Sequence, residues 1–165
     1  AETLLLLGSA CPSSSALTCT RMLCNLVKRD EATAYIHELN RFPSVLRAVL
    51  SQAESSHKLV RAAVTTFVAN VVYLKQQSSQ TPGLSVTDMT AAVHTLVALV
   101  ASEEQSTDVI VRAALVLGTL ALTHALPSCA VSPGTTLKAA RARWGDRLGA
   151  GIACVDEAMG IVGST

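Results

Sequence analysis

Five residues, Val60-Arg61-Ala62-Ala63-Val64, return 51 positions later as Val111-Arg112-Ala113-Ala114-Leu115. A looser copy, Thr20-Arg21-Met22-Leu23-Cys24, stands 40 positions before the first. Each lies in a stretch that is apolar on nearly every side of a helix, apart from one arginine and a few Thr or Asn. One or two more amphipathic segments follow before the pattern begins again. A spacing of roughly 40 to 50 residues with two or three helices per unit is that of HEAT and armadillo arrays. In such an array an inner helix touches neighbours on most sides, so it reads as almost wholly apolar. The pattern predicts an all-α fold, a right-handed α-solenoid of armadillo- or HEAT-like repeats.

Composition supports helix against helix. Half of the 165 residues are hydrophobic, yet only Tyr35, Phe42, Phe67, Tyr73 and Trp144 are aromatic, so the core rests on Ala, Val and Leu. Short side chains let helices approach closely, and Ala and Leu favour helix intrinsically. The pattern predicts helices near 2–8, 15–28, 30–39, 43–53, 56–78, 85–102, 107–125, 134–146 and 150–162. Pro12 with its following serines opens the second, Pro43 sits in the first turn of the fourth, and loops containing Pro82-Gly83 and Pro127 separate later ones. A chain of this length is expected to be one repeat domain over 1–165. It begins almost inside a helix with no cap residue before the leucines, as a piece of a longer domain would.

Charge excludes little by sign alone. Thirteen basic and twelve acidic residues leave a net charge of +1, which gives no argument for nucleic acid or a membrane surface as partner. The longest apolar run, 109–122, is interrupted by Arg112 and Thr119 and is too short to span a bilayer. Five cysteines (Cys11, Cys19, Cys24, Cys129, Cys154) include no CxxC pair, and an odd number cannot all be paired. That usage fits a reducing compartment, cytoplasmic or nuclear, with thiols acting as small hydrophobes.

The arginines are the informative residues. A guanidinium in the middle of an apolar helix cannot stay unpaired in the core, because removing its hydration costs roughly several kcal/mol. Arg21, Arg61 and Arg112 therefore either pair with nearby acids and helix-end carbonyls or face a concave groove. The acids lie mainly at helix starts and in loops (Asp30, Glu31, Asp88, Glu103, Glu104, Asp108), where the helix dipole accounts for them. A groove collecting the arginines would attract a carboxylate-bearing peptide, since Arg binds carboxylates through two parallel hydrogen bonds. Asn25 follows Arg21 by four residues and shares its face. Asn70 is a second amide in an apolar helix; it either binds a peptide main chain or satisfies loop carbonyls. Near the end, residues 136–147 concentrate charge, with Leu137, Ala140 and Trp144 as an expected buried stripe and Lys138, Arg141 and Arg143 solvated.

Catalysis finds no support. His37, His57, His94 and His124 are scattered with no pair at metal-ligand spacing, and no HExxH, GxSxG or Walker pattern occurs. The reading is a non-enzymatic module with no metal and no cofactor.

Three of these stretches carry a family resemblance. Ala16-Leu17-Thr18-Cys19-Thr20-Arg21-Met22-Leu23-Cys24-Asn25-Leu26, Lys58 to Thr66 leading to Asn70, and Arg112-Ala113-Ala114-Leu115-Val116-Leu117-Gly118-Thr119-Leu120 resemble the PUL domain. That is the armadillo-like domain of phospholipase-activating protein and its relatives, found also beside desumoylase-like peptidase and thioredoxin-like domains. The resemblance runs in order over about residues 4 to 160. It implies a six-repeat armadillo fold of which this chain is a C-terminal portion. It also implies a monomeric adaptor that binds the C-terminal tail of the AAA unfoldase valosin-containing protein in a basic concave groove, within ubiquitin-dependent protein handling. Two family arginines important for that contact match Arg21 and Arg112; Asn25 and Arg61 would assist. Thr20 and Thr66 depart from the family, which commonly has aliphatic or aromatic residues there. The alternatives are an armadillo scaffold for another partner and the accessory domain of a desumoylase-like peptidase.

Overall fold

The computed structural model describes residues 13–29, 42–77, 84–102, 106–128 and 131–163. Every regular element among them is helical: α1 (Ser13–Leu26), α2 (Phe42–Leu50), α3 (Lys58–Gln77), α4 (Val86–Ala101), α5 (Thr107–Leu122), α6 (Pro133–Leu148) and α7 (Ile152–Val162). Short 3-10 turns follow α2 (Ser51–Glu54) and α6 (Gly149–Gly151). The predicted all-α class holds. The helices expected near 2–8 and 30–39 lie outside the described residues.

Local chemistry sets the helix ends. Pro43 occupies the first turn of α2, where its missing N–H is no loss. Ser85 accepts a hydrogen bond from the Asp88 amide at 3.1 Å and donates to Asp88 Oδ2 at 2.7 Å, a reciprocal cap at the start of α4. Ser132 caps α6, with Pro133 just inside it. α5 stops at Leu122, short of the expected residue 125, because His124 turns left-handed at φ 52°. The His124 amide then donates to Ala121 O and the Ala125 amide to Leu120 O, the paired bonds of a Schellman close.

The contacts divide the chain into two compact units, 1–88 and 89–165. In the first, α3 packs against α1, against α2 and against the 3-10 turn between them in sequence. Phe67, Val60 and Val64 of α3 are fully buried, together with Val27 beyond α1 and Val45 of α2. In the second, α5 packs along α7, and α6 packs against both. Ile110, Leu117, Leu137 and Val155 form its centre.

Close approach in the second unit depends on missing side chains. A Cβ on Gly118 would lie 3.2 Å from Ala158 Cβ, tighter than ordinary contact, and one on Gly151 would collide with Val111. Threonines are tolerated inside these helices because their hydroxyls bond backwards. Thr20 donates to Ala16 O at 2.8 Å, Thr65 to Arg61 O at 3.1 Å and Thr119 to Leu115 O at 2.8 Å. Gly118→Leu forces side-chain atoms into the α5–α7 contact and is expected to cost about 1–3 kcal/mol. Thermal unfolding followed by circular dichroism checks this; an unchanged midpoint would mean that α7 does not pack so closely.

Candidate functional site

α1 turns two faces to two environments. Ala16, Cys19, Thr20, Leu23 and Cys24 are buried, while Thr18, Arg21, Met22, Asn25 and Leu26 are exposed. The exposed set steps by three and four residues, one continuous stripe of a helix. Arg21 and Asn25 thus stand one turn apart on the same surface, as their spacing requires. Among the described residues no hydrogen bond or ion pair engages Arg21. Met22, 49% exposed, and Leu26 flank it with apolar surface.

Arg112 sits in a comparable stripe on α5. Asp108, Arg112, Leu115 and Leu122 are exposed, and Thr119 is half-exposed between them. Leu115 and Leu122 are 40% and 64% exposed, so the arginine again stands beside uncovered apolar carbons. The rest of the helix, from Val109 through Ala121, is largely buried. α1 belongs to the first compact unit and α5 to the second.

Arg61 has a different environment. It is only 6% exposed, and its Nη1 donates to the Ser55 carbonyl at 2.6 Å. Ser55 lies just before α3, and Arg61 lies in the first turn and a half, so the side chain can lean back over the helix start to reach it. Arg112 lies deeper into α5 and Arg21 deeper still into α1. The same local pattern occurs at different distances from a helix start, and at Arg61 the guanidinium reaches a carbonyl of the preceding turn.

Asn70 satisfies a carbonyl. Its Nδ2 donates to Cys24 O in the last turn of α1 at 3.0 Å. The basic end of α6 is more engaged than its sequence suggests. Arg141 meets the Asp156 carboxylate of α7 through Nε at 2.8 Å and Nη2 at 3.4 Å, and Arg143 Nη1 reaches Ala101 O at 3.3 Å. Arg147 lies 5.4 Å from the Trp144 ring centroid, within cation–π range. Leu137 and Ala140 are buried as expected, whereas Trp144 is half-buried.

The described thiols, Cys19 and Cys24 buried and Cys154 partly so, are not in disulfides. The Cys24 thiol donates to Ala63 O at 3.3 Å, the behaviour of a core side chain. His57, His94 and His124 are exposed on separate segments. No cluster of three or more His, Cys, Asp or Glu suited to a metal ion occurs among the described residues. Nor is any described helix long and apolar enough to cross a membrane.

A family model of the PUL domain matches residues 3–147. The chain belongs to the PUL domain family. PUL domains are armadillo-like, and the family is one of protein-interaction modules rather than catalysts. The matched span holds α1 through most of α6 and all of Arg21, Asn25, Arg61 and Arg112. α7 lies beyond it, yet packs directly on α5 of the PUL match. No curated protein and no solved structure matches the chain.

Sequence reasoning missed the exposed Met22, Leu26, Leu115 and Leu122, which read as core residues in apolar helices. Their spacing from the arginines, one to ten residues along a single stripe, was the available signal. The buried Arg61 bond also has a consequence for stability. Arg61→Ala leaves the Ser55 carbonyl unanswered and is expected to destabilise by about 1.5–3 kcal/mol, against about 0.5 or less for Arg21→Ala. Paired chemical-denaturation curves test this, and equal losses in the two variants would contradict it.

Proposed function

We propose that this PUL chain binds the acidic, carboxylate-ending C-terminal tail of the AAA unfoldase valosin-containing protein. Through neighbouring domains it would link that machine to ubiquitylated cargo in the cytoplasm or nucleus. The observation that supports the reading is that Arg21 and Arg112 each stand on the exposed stripe of a helix whose other face is buried. These are the positions where the resemblance puts the family's tail-binding arginines.

The chemistry suits such a ligand. An exposed guanidinium offers a fork of N–H donors to a carboxylate, and uncovered apolar carbon beside it offers a place for the neighbouring side chain of a peptide. Met22 and Leu26 provide that carbon next to Arg21, and Leu115 and Leu122 next to Arg112. Asn25 adds an amide able to bond a peptide main chain. Arg61, bonded to Ser55, contributes by holding the start of α3 rather than by reaching a ligand. The expected absence of catalysis, cofactor, nucleic acid and membrane belongs to the same reading.

Fluorescence anisotropy of a labelled tail peptide tests it. The wild-type chain is expected to bind saturably and more weakly as salt is added. Arg21→Ala and Arg112→Ala should each weaken binding roughly tenfold, and Arg112→Glu should abolish it with helical circular dichroism intact. A folded wild-type chain that does not bind, or variants that bind equally well, would leave a PUL interaction module with a different partner.

A further inference from the structure

α1 ends without the usual help. No glycine follows Leu26, and no basic residue lies in the last turn. Its final carbonyls need donors from elsewhere. Leu23 O accepts from the Val27 amide and Leu26 O from the Arg29 amide, each at 3.0 Å. Cys24 O is served from another helix, by the Asn70 side chain. The same residue's thiol donates to Ala63 O. A helix carbonyl points toward the C-terminus and side chains lean toward the N-terminus. Ala63 O and the Asn70 amide therefore converge from opposite directions along α3 and grip Cys24 at one level. Residue 24 faces inward, and residues 21 and 25 lie on the outer face of the same turn.

We propose that Asn70, together with the Cys24 thiol, fixes the rotation of α1 about its axis and so aims Arg21 and Asn25, making Asn70 a positioning residue for ligand binding at that surface. The proposal rests on the assignment of Arg21 to peptide binding, but its physical core, the clamp on α1, stands apart from any partner. Two hydrogen bonds to one inward residue resist twisting as well as separation. Apolar packing alone resists twisting weakly beside a residue as small as Ala63. An amide in an otherwise apolar stretch of α3 is explained by this task without touching the ligand.

The test uses the whole chain and three variants. Asn70→Asp replaces the N–H donor by a carboxylate oxygen facing Cys24 O, while Asn70→Gln keeps the donor on a longer stem. Cys24→Ala removes only the thiol half of the clamp and serves if the Asp variant does not fold. Two readouts are taken: affinity for the labelled tail peptide, and hydrogen exchange in the free protein at the amides of residues 25–29. Asn70→Asp is expected to weaken the peptide roughly tenfold and to speed exchange in that last turn selectively. Cys24→Ala should move both in the same direction by less, and Asn70→Gln should restore both toward wild type. Weakened binding with unchanged exchange would make Asn70 a direct ligand contact and overturn the clamp. Unchanged affinity in a variant with faster exchange would overturn the positioning role. If the wild-type chain itself does not bind the peptide, the functional reading fails, and the exchange data alone decide whether the clamp exists.

Discussion

Short side chains govern this protein. With so little aromatic volume, burial is reached by bringing helix backbones together, and α5 can lie against α7 because Gly118 faces Ala158 with almost no space left over. Close approach leaves no room for water to satisfy stray polar groups. Buried donors then mostly find an acceptor within their own helix or on the helix beside it, the Trp144 indole N–H being one that does not. Thr20 and Thr65 do the first by bonding back four residues, and Cys24 and Asn70 do the second between α1 and α3.

The same constraint sorts the arginines. A guanidinium carries too many donors to be satisfied by its own helix, so it must keep water or find carbonyls outside. Arg61 begins close enough to the start of α3 to reach Ser55 O and is buried there. Arg21 and Arg112 sit farther along their helices and are exposed. One local sequence pattern therefore yields one structural residue and two surface residues. Membership of the PUL family makes protein interaction the natural use of such surfaces. The exposed leucines and methionine beside them supply apolar contact that isolated charges would lack.

Much of this was readable from the residues. The helices follow from apolar periodicity, with Pro43 marking the first turn of α2, whereas Pro133, expected in a loop, lies just inside α6. The early end of α5 was not legible, because nothing in the pattern says that a histidine will adopt the left-handed turn that glycine usually fills. The stripe shared by Arg21 and Asn25 was legible from spacing alone. The environment of Arg61 was not, since its position relative to a helix start shifts with a boundary that periodicity locates only to a few residues. The pairing of Arg141 was not legible because its partner, Asp156, lies on another helix. For Asn70 the sequence leaves ligand and carbonyl both open, and only the packing of α3 on α1 separates the two.

On the proposed reading, the arginines of one repeated pattern divide between structure and recognition. Side-chain Nε–H resonances of arginine report this directly, followed by nuclear magnetic resonance while the tail peptide is added. Arg21 and Arg112 are expected to shift and sharpen as the peptide saturates, with the Arg61 signal already sharp and staying in place. Movement of Arg61 together with silence at Arg21 and Arg112 would contradict the account.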